Sequence, residues 1–205
     1  MRQKKNWMPY LTIGISLLLL LMSYKSSAQE TELNETSIRT GFGIGIDDGI
    51  FSSGFGYVYS FGWQNSFGKK NKLRLNPNFS LGKLSSSGTL GIIYQYEYTM
   101  NSLGLNLHYD LIKYRSVSIV TTVGSFINYS RGFFYNSYNI EDTNNRINCF
   151  RLFYLGENAS IGIRVNPKKS RLAYELRPIN LQLSIGNDDY ILIYSMIAID
   201  FKLNK

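Results

Sequence analysis

The side chains in this sequence that could carry acid–base chemistry are few. His108 is the only histidine among 205 residues. It stands two positions from Asp110, the spacing that places both on one face of an extended strand. A histidine near a carboxylate, with Ser118 or Ser160 brought across from another strand, is the set that hydrolysis or acyl transfer uses, the imidazole acting as general base. His108 and Asp110 are therefore the catalytic candidates. Both also belong to a larger set. Arg74, His108, Asp110, Arg164, Glu175, Arg177, Asp200 and Lys202 share a strand face with glycines and serines. Both signs are present, and Arg164 can meet Glu175 across the Asn166–Ser170 turn. The preferred reading of this set is structural: a polar network whose charges neutralise one another in an enclosed space.

Other chemistry is excluded more simply. Cys149 is the only cysteine, so neither an intramolecular disulfide nor a cysteine metal cluster can form. No metal-ligand spacing, phosphate loop or dinucleotide fingerprint occurs. Gly41, Gly43 and Gly45 alternate with Phe42, Ile44 and Ile46, and no helix pattern follows them, so they are not a phosphate cradle. No metal and no cofactor is expected.

The elements that must position these groups are strands. In Gly54 to Gln64, Phe55, Tyr57, Tyr59, Phe61 and Trp63 occupy every second position, with Gly56, Val58, Ser60 and Gly62 between them. That period puts the aromatics on one face of a strand, and no helix would gather them. The same alternation recurs to the end of the chain and predicts about eight strands joined alternately by short and long connections, with no helix after residue 28. Pro77 lacks a ladder donor, so a bulge or break is expected there. Parity changes near Met100 to Ser102 and at Pro178 predict bulges or a loop at both places. Arg131 to Asn148 reads as the longest irregular segment.

The N-terminus reads as a secretory signal. Arg2, Lys4 and Lys5 precede the apolar run Leu11 to Met22, and Ser26-Ser27-Ala28 supplies small residues for cleavage. The organisation is then a signal peptide over 1–28, a short lead over 29–37 and a barrel over 38–205. Cleavage would remove four basic residues and no acid, lowering the formal net charge from +8 to +4. The basic character owes much to the signal, and nucleic acid is not an expected partner.

Alternation alone fits two opposite barrels. The apolar face lines the interior of a soluble ligand-binding barrel but faces lipid in a membrane barrel. The second face decides. It carries Gly41, Gly43, Gly45, Gly56, Ser60, Gly62, Ser80, Gly104, Gly124 and Gly162, with few charges. A solvated surface would carry many Lys, Glu and Asp, whereas small residues suit a narrow interior. Charged residues are 18% of the chain, below the roughly 25% of soluble domains. The fold class is therefore all-β, an antiparallel up-and-down transmembrane barrel whose interior is filled by side chains and leaves no wide pore.

The signal, the eight or so alternating strands, the Tyr/Phe-rich outer face and the closing pattern Ile197, Ile199, Phe201, Leu203 together resemble the small outer-membrane β-barrel proteins of Gram-negative bacteria. The resemblance implies outer-membrane lipid and the outer-membrane assembly machinery as partners, with a further protein partner in the envelope or outside the cell. It implies a structural or binding role. Members of that family often end on an aromatic residue, whereas here Lys202 to Lys205 follow Phe201. The loops near Asp47–Phe51, Lys83–Thr89, Arg131–Asn148 and Gly186–Tyr190 would face outside, and Phe133, Phe134, Tyr135 and Tyr138 are the surface-loop binding candidates. Two alternatives stay open. Some barrels resembling this one are lipid-modifying enzymes using His with Ser and an acid at the outer rim, although His108 would lie at the opposite end. The other alternative is a soluble periplasmic barrel binding an apolar ligand.

Overall fold

The structure is a computed structural model that describes residues 35–48, 53–68, 71–86, 93–137, 146–167, 169–185 and 190–203. The expected signal peptide, most of the short lead and Tyr138 lie outside these residues. The chain forms β1 (Thr36–Asp48), β2 (Ser53–Phe67), β3 (Leu73–Ser86), β4 (Ile93–Tyr114), β5 (Val117–Ser137), β6 (Arg146–Val165), β7 (Leu172–Ile185) and β8 (Tyr190–Lys202). Each strand pairs antiparallel with the next, and β8 returns to β1 to close the barrel. β1 begins at Thr36 and pairs with Asn65, so the barrel takes in the last two residues assigned to the lead.

The period of two sorts the side chains as the pleat requires. Phe55, Tyr57, Tyr59, Phe61 and Trp63 point outward and are 45% to 60% exposed, while Gly54, Gly56, Val58, Gly62 and Gln64 are buried. The same outward apolar face continues on every strand, through Phe42, Phe79, Leu103, Ile127, Phe153, Leu176 and Ile197. Several glycines of the inner face, Gly43, Gly45, Gly56, Gly62, Gly124 and Gly162 among them, stand where neighbouring backbone leaves no room. A methyl group on Gly56 would run into the Lys83 carbonyl and the backbone of Leu84 on β3. Gly56→Ala is therefore expected to cost about 1–3 kcal/mol, read as a lower urea midpoint of unfolding. An unchanged midpoint would mean that β2 and β3 separate at little cost.

The irregularities follow from identifiable residues. β7 carries an extra residue at Pro178: the register with β8 shifts between Arg177 and Asn180, and Pro178 and Ile179 both face outward. This is the bulge that the parity change there announces. At Pro77 the β2–β3 ladder is interrupted opposite Trp63 without any shift in register. Asn76 fills the gap, its side-chain amide donating to the Trp63 carbonyl at 2.9 Å.

Two expectations are corrected. β4 runs unbroken through Met100 to Ser102 in constant register with β3. The change of pattern there is a change in what the lumen holds, because Tyr96, Tyr98 and Met100 face inward. The bulge of β4 lies instead between Asp110 and Ile112. Arg131 to Asn148 is also not mainly irregular: β5 continues to Ser137 and β6 starts at Arg146, the two pairing as far as Asn136 with Arg146. The pairing of β6 with β7 starts only at Leu155, so the first nine residues of β6 extend past β7.

Candidate functional site

The lumen is where the titratable groups converge, and it is layered along the barrel. The layer nearest the start of β1 and the end of β8 is charged. Arg39 on β1 is its hub, 3% exposed. Its guanidinium meets Glu175 Oε1 at 2.9 Å and Asp200 Oδ1 at 2.9 Å. Arg177 Nε meets Glu175 Oε1 at 2.5 Å. Arg164 Nη2 meets Asp200 Oδ2 at 3.0 Å, and Arg74 Nη2 meets Asp110 Oδ1 at 2.8 Å. All of these groups are buried, so each charge depends on its partners in place of water. Lys202 sits at the margin, 3.6 Å from Glu35.

Arg164 and Glu175 are register partners on β6 and β7, yet Arg164 bonds to Asp200. Arg39 and Arg177 already occupy Glu175 from the other side. Arg39 was not among the sequence candidates. The available signal was its parity, since it shares a face with Gly41, Gly43 and Gly45.

His108 lies in the same layer. Its Nδ1 is 2.8 Å from Thr122 Oγ1 and 3.1 Å from Arg177 Nη2. A guanidinium can only donate, so Nδ1 accepts and the proton rests on Nε2. Asp110 is committed to Arg74, and the hydroxyl at His108 is that of Thr122, not Ser118 or Ser160. The catalytic candidates are thus brought into one network, with His108 and Asp110 bound to different partners.

Beyond the charged layer lies an amide and hydroxyl layer, including Asn76, Asn78, Ser102, Asn106, Asn158 and Asn180 around a cavity of about 30 Å³. That volume holds a water molecule or two. The far layer is apolar and aromatic: Val58, Leu84, Tyr96, Tyr98, Met100, Tyr154, Leu192, Tyr194 and Met196 pack together. The hydroxyls of Tyr96 and Tyr98 each donate to the buried carboxylate of Asp47 at 2.9 Å. The inner face is therefore small and polar only over part of its length. Sequence reasoning missed the far layer because its Leu, Met and Tyr residues look like outward residues.

The surface candidates divide. Phe133 points outward on β5 and is exposed. Phe134 and Tyr135 belong to the same strand, paired with Asn148 and Ile147, so they are strand residues and not loop residues.

No protein-family model matches the sequence, and no curated protein sequence matches it. Solved structures do resemble the fold. Neisserial surface protein A shares 10% identity at a TM-score of 0.52, over 81% of this chain and 97% of that one. A major outer membrane protein from Thermus thermophilus shares 11% at 0.50, over 82% and 99%. Ail of Yersinia pestis, solved in complex with the heparin analogue sucrose octasulfate, shares 11% at 0.49, over 83% and 99%. The fold is that of the small outer-membrane β-barrels, and the bound sucrose octasulfate is a property of Ail.

Proposed function

We propose that this chain is an integral protein of the bacterial outer membrane, with a structural or binding role at the cell envelope and a lumen closed to solutes. One observation carries the reading: the distribution of side chains is inverted relative to a water-soluble protein. Large apolar residues are exposed on all eight strands, while Arg39, Arg74, Arg164, Glu175 and Asp200 are buried. In water the outer face would be an apolar surface far beyond the few hundred Å² that soluble monomers carry. In lipid it is the favourable surface, and a closed barrel satisfies its backbone groups there. β2–β3, β4–β5 and β6–β7 connect at the end where β1 begins and β8 ends. Those connections would face the periplasm and the others the outside. Outer-membrane lipid and the assembly machinery are then the obligatory partners.

Cell fractionation tests the localisation. The protein is expected in the outer-membrane fraction, extractable only with detergent, with a gel mobility that changes on heating. Release with the periplasmic contents would overturn the reading and favour the soluble barrel. In planar bilayers the purified protein is expected to give no stable conductance steps, because side chains fill the lumen at every level. Large, regular steps would refute the closed lumen.

A further inference from the structure

On the outer wall the registers of β3 to β6 build a ladder of rows. Phe79, Leu103, Ile127 and Leu155 form one row, and Leu81, Asn101, Tyr129 and Phe153 the next toward the far rim. The following row is Lys83, Thr99, Arg131 and Arg151, all outward and exposed. Lys83 is neutralised by Glu97 at 2.6 Å. Arg131 and Arg151 face each other directly, and among the described residues neither has an ion pair. Like charges opposite one another on a sheet are destabilising, with Cβ atoms about 5 Å apart. Among the described residues nothing compensates this pair, and an external anion would make the arrangement favourable.

A second feature lies below it on the same strands. An open apolar depression of about 630 Å³ is walled by Phe79, Leu103, Ile127 and Leu155 and is hollow at Ser125. Its upper wall lies four residues from the arginine row on each strand, about 13 Å at strand rise. An apolar groove with an unmatched dication one acyl segment above it, on a wall that faces lipid, has the charge and shape of a seat for an anionic amphiphile.

We infer that this wall binds a phosphorylated glycolipid of the outer leaflet, its acyl chains in the groove and its phosphate between Arg131 and Arg151. The inference rests on the outer-membrane reading above. Thr99 and Asn101 flank the arginines and offer hydrogen bonds to the sugar, and Tyr129 and Phe153 stand at the boundary between headgroup and hydrocarbon.

The test uses the full barrel refolded into phosphatidylcholine vesicles doped with bis-phosphorylated lipid A, or with the dephosphorylated lipid. Lipid A retained per chain is counted after mild detergent extraction. Wild type is expected to retain bis-phosphorylated lipid A about tenfold more strongly than the double variant Arg131→Gln/Arg151→Gln. It should prefer it similarly over the dephosphorylated form. Ser125→Phe, which fills the groove and leaves the charges, should also lower retention, whereas Arg131→Lys/Arg151→Lys should keep most of it. Equal retention by wild type and the glutamine variant, with both showing heat-modifiable mobility, overturns the inference and leaves the membrane reading intact. Displacement of lipid A by excess inorganic phosphate overturns it too, since the site would then be one for a free anion. Failure of wild type to enter the vesicles at all overturns the membrane reading itself.

Discussion

Glu175→Gln is expected to lower the unfolding free energy of the barrel by about 3–5 kcal/mol. Glu175 is shared by Arg39 and Arg177 at ion-pair distance, with Arg74 3.9 Å away. Glutamine preserves the volume and one acceptor but removes the charge. Three buried guanidiniums would then depend on Asp110 and Asp200, which Arg74, Arg39 and Arg164 already use. Leaving a buried charge uncompensated costs more than the intact pair contributes, so the loss should far exceed that of a surface ion pair. The measurement is a urea titration in lipid vesicles. Combining Glu175→Gln with Arg177→Met should recover part of the loss, a coupling that a thermodynamic cycle reads directly. A midpoint within experimental scatter of wild type would show that water, not the carboxylate, satisfies these arginines.

The second large effect comes from the other side of the wall. Ile197→Arg places a guanidinium at the middle of β8, on a side chain 61% exposed and flanked by Phe42 and Leu176. At the bilayer midplane that costs about 2–4 kcal/mol, falling to about 0–1 near the interface. Tyr114→Arg, at the edge of the turn between β4 and β5 and 69% exposed, should therefore be nearly silent. The contrast between the two positions is the diagnostic. A barrel bathed in water would accept both equally, since each side chain is exposed. Trp63 lies on the lipid-facing side and reports refolding by its fluorescence.

The sequence reveals most where two-residue periodicity meets a uniform environment. The aromatic face of β2, the glycine face of β1 and the bulge at Pro178 all follow from local rules, because lipid outside and a crowded interior impose opposite demands on adjacent positions. It reveals least where the interior itself changes character. Tyr96 and Tyr98 break the inward-polar rule because the far end of the lumen is packed with apolar side chains, and only the constant register of β4 with β3 shows that no bulge is present. The ion-pair partners were not legible for a different reason. Who meets whom across a barrel depends on strand stagger, so Arg164 finds Asp200 on β8 in preference to its register partner. The extended tip of β5 and β6 escaped notice because Arg131 interrupts the apolar alternation of β5 and a polar run follows Tyr138.

The layering of the lumen bears on how the barrel enters the membrane. Outer-membrane hairpins approach from the periplasmic side with their long loops leading. The inward side chains that lead through the acyl region are Leu84, Tyr96, Tyr98 and Met100, whose transfer is cheap. Arg39, Arg74, Arg164 and Glu175 trail at the end where β1 begins and β8 ends. Asp47 is the exception, a carboxylate of the far layer that Tyr96 and Tyr98 hold. The arginine cluster is stationed where no crossing is asked of it, and the direction of insertion is written into its position along the axis.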